Sequence, residues 1–173
     1  MQLLVEQIKS NDRKAQEILY KKYADRFFNL CYRYTGNEDN AAEVLNKGFF
    51  KIFSSITSLS FINNKAFEGW MYKIVINEAL MFIRESNRLF ATTEIERLDY
   101  SSEAYTDHHF SEEDCLKLLQ MLPTGYRTVF NLFAIEGFSH QEIGQMLNIT
   151  ESTSRSQLTR AREMLKTLIN KEL

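Results

Sequence analysis

Leu19, Tyr23, Phe27, Leu30 and Tyr34 follow one another at steps of 4, 4, 3 and 4 residues, the spacing at which an α-helix brings side chains to one face. A strand would send such residues alternately to opposite sides, so this run commits the chain to helix. Leu45, Phe49, Ile52 and Ile56 repeat the spacing. Between the two runs Gly36 offers a helix stop and Asn37 a cap for the next helix. After a polar loop over 60–65, a third helix is expected over 67–87, apolar on nearly all sides, as suits a helix packed between others. Six glycines and a single proline in 173 residues leave few breaks for tight turns, so the expected fold class is all-α throughout.

Charge divides the chain in two. From Glu94 to Asp114 eight acids stand against one base, Arg97; this segment is −7, which leaves +5 on the rest of a chain whose total is −2. A basic remainder is what an anionic partner requires, and the total conceals it. Residues 89–110 also lack any sustained period and are too many for an ordinary loop in a compact domain. The expected organisation is therefore two small helical domains, 1–90 and 111–173, joined by an acidic linker over 91–110. That linker reads either as a solvated spacer or as an acidic strand for a nucleic-acid channel on a partner.

The second domain opens on Ser111-Glu112-Glu113-Asp114, a capping serine with acids in the first turn. A helix to Leu122 is expected, then another from Pro123 to Glu136. Gly137 can end that helix, and Ser139-His140-Gln141-Glu142 fits the S-x-x-E capping box. Ile143, Met146 and Leu147 give a short helix one apolar face. Asn148-Ile149-Thr150 is a turn: Asn tolerates left-handed backbone, Ile149 can tuck inward and Thr150 can cap a further helix. In that helix Leu158, Ala161, Leu165, Leu168 and Ile169 share a side at about 100° per residue, while Ser152, Arg155, Ser156, Thr159, Arg160, Arg162 and Lys166 spread over the rest. Hydroxyls, the Gln157 amide and guanidiniums at the start of a helix suit a major groove, where end residues reach base edges and later cations hold phosphates. The segment 128–168 is thus expected to be a DNA-binding helix-turn-helix.

Other chemistries find little footing. The apolar stretch 70–83 is interrupted by Lys73, Asn77 and Glu78 and is too short to cross a bilayer. The start Met1-Gln2-Leu3-Leu4-Val5-Glu6 lacks a secretion signal's basic end and long apolar run, so a cytoplasmic protein with no membrane insertion is expected. Cys31 lies on the apolar stripe and reads as a buried thiol; His108, His109 and Cys115 do not complete a metal site. There is no phosphate-cradling glycine loop and no evident nucleophile–base pair, which points away from an enzyme and leaves no cofactor or metal to expect.

The motifs resemble a known family. Leu122-Pro123-Thr124-Gly125-Tyr126-Arg127-Thr128-Val129-Phe130, Glu136-Gly137-Phe138-Ser139-His140-Gln141-Glu142-Ile143, Thr153-Ser154-Arg155-Ser156-Gln157-Leu158 and Arg160-Ala161-Arg162 look like region 4 of extracytoplasmic-function (ECF) sigma factors, especially the form found in Bacteroidetes. Leu19-Tyr20-Lys21-Lys22-Tyr23, Tyr32-Arg33-Tyr34-Thr35-Gly36-Asn37 and Phe67-Glu68-Gly69-Trp70-Met71-Tyr72-Lys73-Ile74-Val75-Ile76-Asn77 look like region 2. The resemblance implies a sigma factor that directs core RNA polymerase to promoters, contacting the β′ coiled coil and β flap, with an anti-sigma factor as a further partner. It implies −35 reading by Ser152, Thr153, Arg155, Ser156, Gln157, Thr159, Arg160 and Arg162. It implies −10 melting by Asn63, Asn64, Lys65, Trp70, Lys73, Asn77, Arg84 and Arg88, and polymerase docking by Glu43, Asn46, Lys47, Phe49, Phe50 and Phe53. Trp70 and Phe67 read equally well as core, and Asn77 as a satisfied buried amide.

The docking stretch departs from the family's usual acidic pattern: Asn40 and Lys47 stand where acids are usual, and Met81 stands where an Asp is usual. The segment Arg84-Glu85-Ser86-Asn87-Arg88 is also less basic than the family's run. An altered docking helix keeps a second function in view, a sigma-like decoy that binds an anti-sigma factor without promoter activity. A conventional transcription factor using the helix-turn-helix alone would leave the first 90 residues unexplained.

Overall fold

The computed structural model describes residues 1–86 and 111–171. The linker expected over 91–110, and Arg88, lie outside the described residues. The chain divides into two compact units, Met1–Glu85 and Ser86–Leu173, and the described residues of both hold helices and no strand.

The first unit contains α1 (Gln2–Lys9), α2 (Arg13–Thr35), α3 (Glu38–Ser55), a 3-10 turn at Ile56–Ser58 and α4 (Asn64–Glu85). Helices α2, α3 and α4 pack on one another, with α1 against α2 and the 3-10 turn. The Asp12 side chain starts α2 by accepting from the amides of Lys14 and Ala15. Gly36 ends it in the left-handed region at φ 71°, where a side chain would be strained. Asn37 then caps α3 by accepting from the Asn40 amide at 3.0 Å. The two expected stripes meet in the core: Leu19, Tyr23, Phe27, Leu30 and Tyr34 of α2 and Leu45, Phe49 and Ile52 of α3 are all buried. Phe27 joins Phe49 and Tyr72 through ring contacts at 5.8 and 6.3 Å.

Helix α4 buries Phe67, Met71, Val75, Ile76, Ala79, Leu80 and Ile83. It begins earlier than the apolar pattern predicts, because the Asn63 side chain accepts from the Ala66 amide at 2.8 Å and caps it there. Helix α1 is too short for its pattern to show in the sequence; Val5 and Ile8 anchor it. The buried Glu78 carboxylate of α4 is paired with Lys51 of α3, so that charge is matched where water is scarce. Cys31 is buried, and burial pushes its thiol pKa up to about 12, which keeps it protonated and inert.

The second unit contains α5 (Glu112–Gln120), α6 (Thr124–Phe130), a π-helical segment at Asn131–Ile135, α7 (His140–Leu147) and α8 (Glu151–Lys171). Ser111 and Asp114 form a reciprocal capping box at the start of α5. The guanidinium of the buried Arg127 donates to the carbonyls of Gln120 and Leu122, each at 3.3 Å. It thereby satisfies the end of α5, where carbonyls have no helical partner. Instead of one continuous helix to Glu136, α6 gives way to a π turn: the Glu136 amide donates to the Asn131 carbonyl at 2.9 Å. The widened turn rotates the residues after Phe130 relative to an α-helix. The core of this unit gathers Leu119, Leu122 and Ala161, with Tyr126, Phe130, Met164 and Leu165 packed against them.

Candidate nucleic-acid interface

Local chemistry builds the turn between α7 and α8. Ser139 accepts from the Glu142 amide, and the Glu142 carboxylate accepts in return from the Ser139 amide at 2.8 Å. Asn148 adopts the left-handed conformation at φ 56°, and Thr150 caps α8 by accepting from the Thr153 amide at 3.0 Å. The chain folds back so closely that a Cβ on Gly144 would lie 2.8 Å from the Ile149 carbonyl oxygen. These are the expected cap, turn and cap.

Helix α8 then divides by face. Ser154, Leu158, Ala161 and Leu168 are buried. Ser152, Arg155, Thr159, Arg162 and Lys166 are exposed and, at about 100° per residue, fall on one stripe. Ser156 flanks it. Thr153 and Gln157 are half-buried further round the same flank as Ser156, where Arg160 donates to the Tyr126 hydroxyl at 3.3 Å. The proposed reading residues thus separate into a central stripe and a flank that faces α6. Arg155 pairs with Glu151 one turn before it. Such exposed i,i+4 pairs are worth only about 0.3–0.5 kcal/mol, so an anionic ligand can displace the carboxylate.

Sequence reasoning missed a second layer beneath this stripe. Phe133 of the π turn stacks on His140 of α7 with ring centroids 4.4 Å apart. The His140 Nδ1 lies 2.9 Å from the Ser154 hydroxyl, and the Arg162 guanidinium sits 5.8 Å from the centre of the Phe133 ring. Its one signal in the sequence is a histidine inside the capping box, a position the box itself gives no task.

In the first unit, Trp70, Lys73, Asn77 and Arg84 share the outer side of α4. Lys73, Asn77 and Arg84 are exposed and Trp70 is half-buried, stacked on Phe67 at 5.8 Å. The expectation of a buried amide at Asn77 is therefore corrected, while Phe67 belongs to the core. Asn64 and Lys65 are exposed on the first turn of α4, and Asn63 spends its side-chain oxygen as the cap. On α3, Glu43, Asn46, Lys47 and Phe50 form an outward face, with Phe50 73% exposed. Phe49 does not belong to it. It is 3% exposed and packed on Phe27 and Tyr20, because its position continues the apolar stripe. Phe53 is half-buried beside it. Lys47 is bonded to Glu43 at 2.7 Å; this hydrogen bond and the neighbouring carboxylates of Glu85 and Glu78 raise its pKa above the ordinary lysine value.

A capped short helix, a tight turn and a basic outward stripe on the second helix define a DNA-binding protein of the helix-turn-helix class. Among the described residues no helix is long and apolar enough to cross a membrane, and no group of acids, histidines and cysteines could hold a metal ion. Comparison with known proteins sharpens this class. The sequence pattern of Sigma-70 region 2 matches residues 19–89, and that of Sigma-70, region 4, matches residues 113–165. The ECF RNA polymerase sigma factor SigW of Bacillus subtilis is 29% identical over 175 residues, covering 94% of this chain and 92% of that protein. The ECF RNA polymerase sigma-E factor of Haemophilus influenzae is 28% identical, covering 97% and 94%. Against the sigma factor SigE of Mycolicibacterium smegmatis the identity is 29%, and the chain spans 61% of that longer protein. Two solved structures share the fold at 19% identity. CnrH in complex with the cytosolic domain of CnrY has a TM-score of 0.52, covering 99% of this chain and 97% of that one. The sigma factor RpoE of Bartonella quintana in complex with the anti-sigma factor NepR has a TM-score of 0.54, covering 89% and 96%. The chain belongs to the sigma-70 family of RNA polymerase sigma factors, in its extracytoplasmic-function group.

Proposed function

We infer that this chain is a promoter-directing sigma factor: it binds core RNA polymerase, selects promoters and helps open them. The observation that carries this reading is the presence of both grips on one chain, the basic stripe of α8 and the Trp70–Lys73–Asn77–Arg84 face of α4. The first unit is assigned to docking and the −10 element, the second to the −35 element. Melting needs an aromatic or amide surface for unstacked bases and cations along the strand, and the α4 face supplies both. The protein acts as a non-catalytic subunit in the cytoplasm, where polymerase and chromosome are. An anti-sigma factor is its natural regulator, in keeping with the solved RpoE of Bartonella quintana, which is bound to the anti-sigma factor NepR. The test is reconstitution with core polymerase from the same organism. A promoter-dependent transcript with a defined start is the expected result, and the absence of both stable complex and transcript would sink the assignment.

Docking is assigned to the outward face of α3 formed by Glu43, Asn46, Lys47 and Phe50, with Phe49 in the core behind it. Since Lys47 neutralises Glu43, Lys47→Glu is expected to expose negative charge to a basic partner surface. Core affinity should rise about two- to fivefold, mostly through faster association at low salt. Weaker binding, measured by fluorescence anisotropy, would show instead that Lys47 makes a contact of its own.

A further inference from the structure

Two elements of the second unit, the π turn and α8, converge on His140 of α7. The π turn at Asn131–Ile135 presents Phe133, whose ring lies 4.4 Å from the imidazole at an interplanar angle of 18°. From α8 comes Ser154, 0% exposed, with its hydroxyl 2.9 Å from Nδ1. Arg162, two turns further along α8, holds its guanidinium over the Phe133 ring. Ser154 directly precedes Arg155, and Arg155 and Arg162 both stand on the exposed stripe.

Helices α7 and α8 pack on each other and Ile143, Leu147 and Leu158 are buried, but apolar packing is non-directional and tolerates small rotations. A hydrogen bond between a buried hydroxyl and a stacked ring does not, because its geometry is narrow. Burial and the nearby Arg155 hold the imidazole pKa below its ordinary value, with Arg162 acting in the same direction and Glu151 against them. This shift favours the neutral ring, in which Nδ1 and the Ser154 hydroxyl can share one proton as donor and acceptor.

We propose that His140 is a positioning residue for promoter reading: through Ser154 and Phe133 it fixes the rotation of α8, and so where Arg155 and Arg162 stand on the DNA. Base-edge contacts require placement within roughly 0.5 Å, whereas phosphate contacts by flexible cations do not. Loss of the latch therefore lowers discrimination at −35 and leaves general DNA affinity in place. The inference rests on the reading of α8 as the −35 element's partner.

The experiment uses holoenzyme reconstituted with the full chain and two promoters that share a −10 element, one with the preferred −35 sequence and one with it scrambled. The quantity read is the ratio of transcripts. A ratio of one for the unaltered chain would defeat the −35 reading itself, independently of His140. Given a large ratio, His140→Phe keeps a ring for the stack and removes the hydrogen bond, while Ser154→Ala removes its other half. Each is expected to lower the ratio about five- to tenfold, the scale of one hydrogen bond and the aim it sets, with the scrambled promoter unaffected. The double variant should lose no more than either single one. His140→Asn, whose amide can reach the place of Nδ1, should restore most of the ratio although it lacks the ring. An unchanged ratio in both single variants, or losses that add in the double, would overturn the proposal. So would equal losses on both promoters in step with a fall in Tm, since that marks a residue needed only for folding.

Discussion

Gly48→Leu lowers the melting temperature of the first unit by on the order of 10 °C, whereas Gly48→Ala leaves it nearly unchanged. At Gly48 α3 passes close to α4: a Cβ there would meet Val75 Cγ2 at 3.2 Å and the Val75 Cα at 3.7 Å. An alanine methyl asks the valine to give by a few tenths of an ångström, and helix propensity offsets this with about 1 kcal/mol gained over glycine. A leucine must push the helices apart. Overpacking of this kind costs about 1–3 kcal/mol, and each kcal/mol is worth about 4–8 °C in a domain of this size. The displaced helix carries Glu43, Lys47 and Phe50, so polymerase affinity should fall with stability. Thermal denaturation followed by circular dichroism checks the first effect, and a leucine variant as stable as the parent would disprove the close approach.

How much of this is legible in the sequence depends on how far apart the interacting residues lie along the chain. The stripe Leu19–Tyr34, the stop at Gly36, the cap at Asn37, the capping box Ser139–Glu142 and the left-handed Asn148 involve residues within about a turn of one another. Their geometry is set by the backbone itself, and the structure carries all of them. What the sequence hides depends on how one helix lies against another. Gly48 carries no signal until Val75 is placed beside it, and Ser154 looks like one more hydroxyl of a DNA-reading face until α8 rotates it inward onto His140. Phe49 satisfies two patterns at once, the core stripe and the docking motif, and burial decides for the core. The π turn has no simple sequence signature, because its extra residue shifts the apolar register only once, within a five-residue segment at the end of the helix. Similarly, Asn63 resembles a DNA-contacting loop residue and is the cap of α4.

Arg155→Ala is expected to reduce transcription from promoters that depend on a −35 element by about 10- to 100-fold and to leave promoters with a scrambled −35 unaffected. Arg155 stands in the second turn of α8, on the exposed stripe with Ser152 and Thr159, where a recognition helix enters the major groove. A guanidinium that forks onto a guanine edge contributes about 1–3 kcal/mol of discrimination, which sets the upper part of the range. Its present partner, Glu151, offers too little in water to compete with that. Arg155→Lys should recover little, since an ammonium keeps the charge and loses the fork. Lys166→Ala provides the contrast. It lies further along the same stripe, and its loss should weaken binding to all sequences alike and reduce the salt dependence by about one phosphate contact. Start-site transcription at several salt concentrations separates the two behaviours. If Arg155→Ala behaves as Lys166→Ala does, the base-reading end of α8 must be sought among Ser152, Ser156 and Thr159. If neither variant changes transcription, the stripe is not the DNA face, and the flank carrying Arg160 becomes the surface to test.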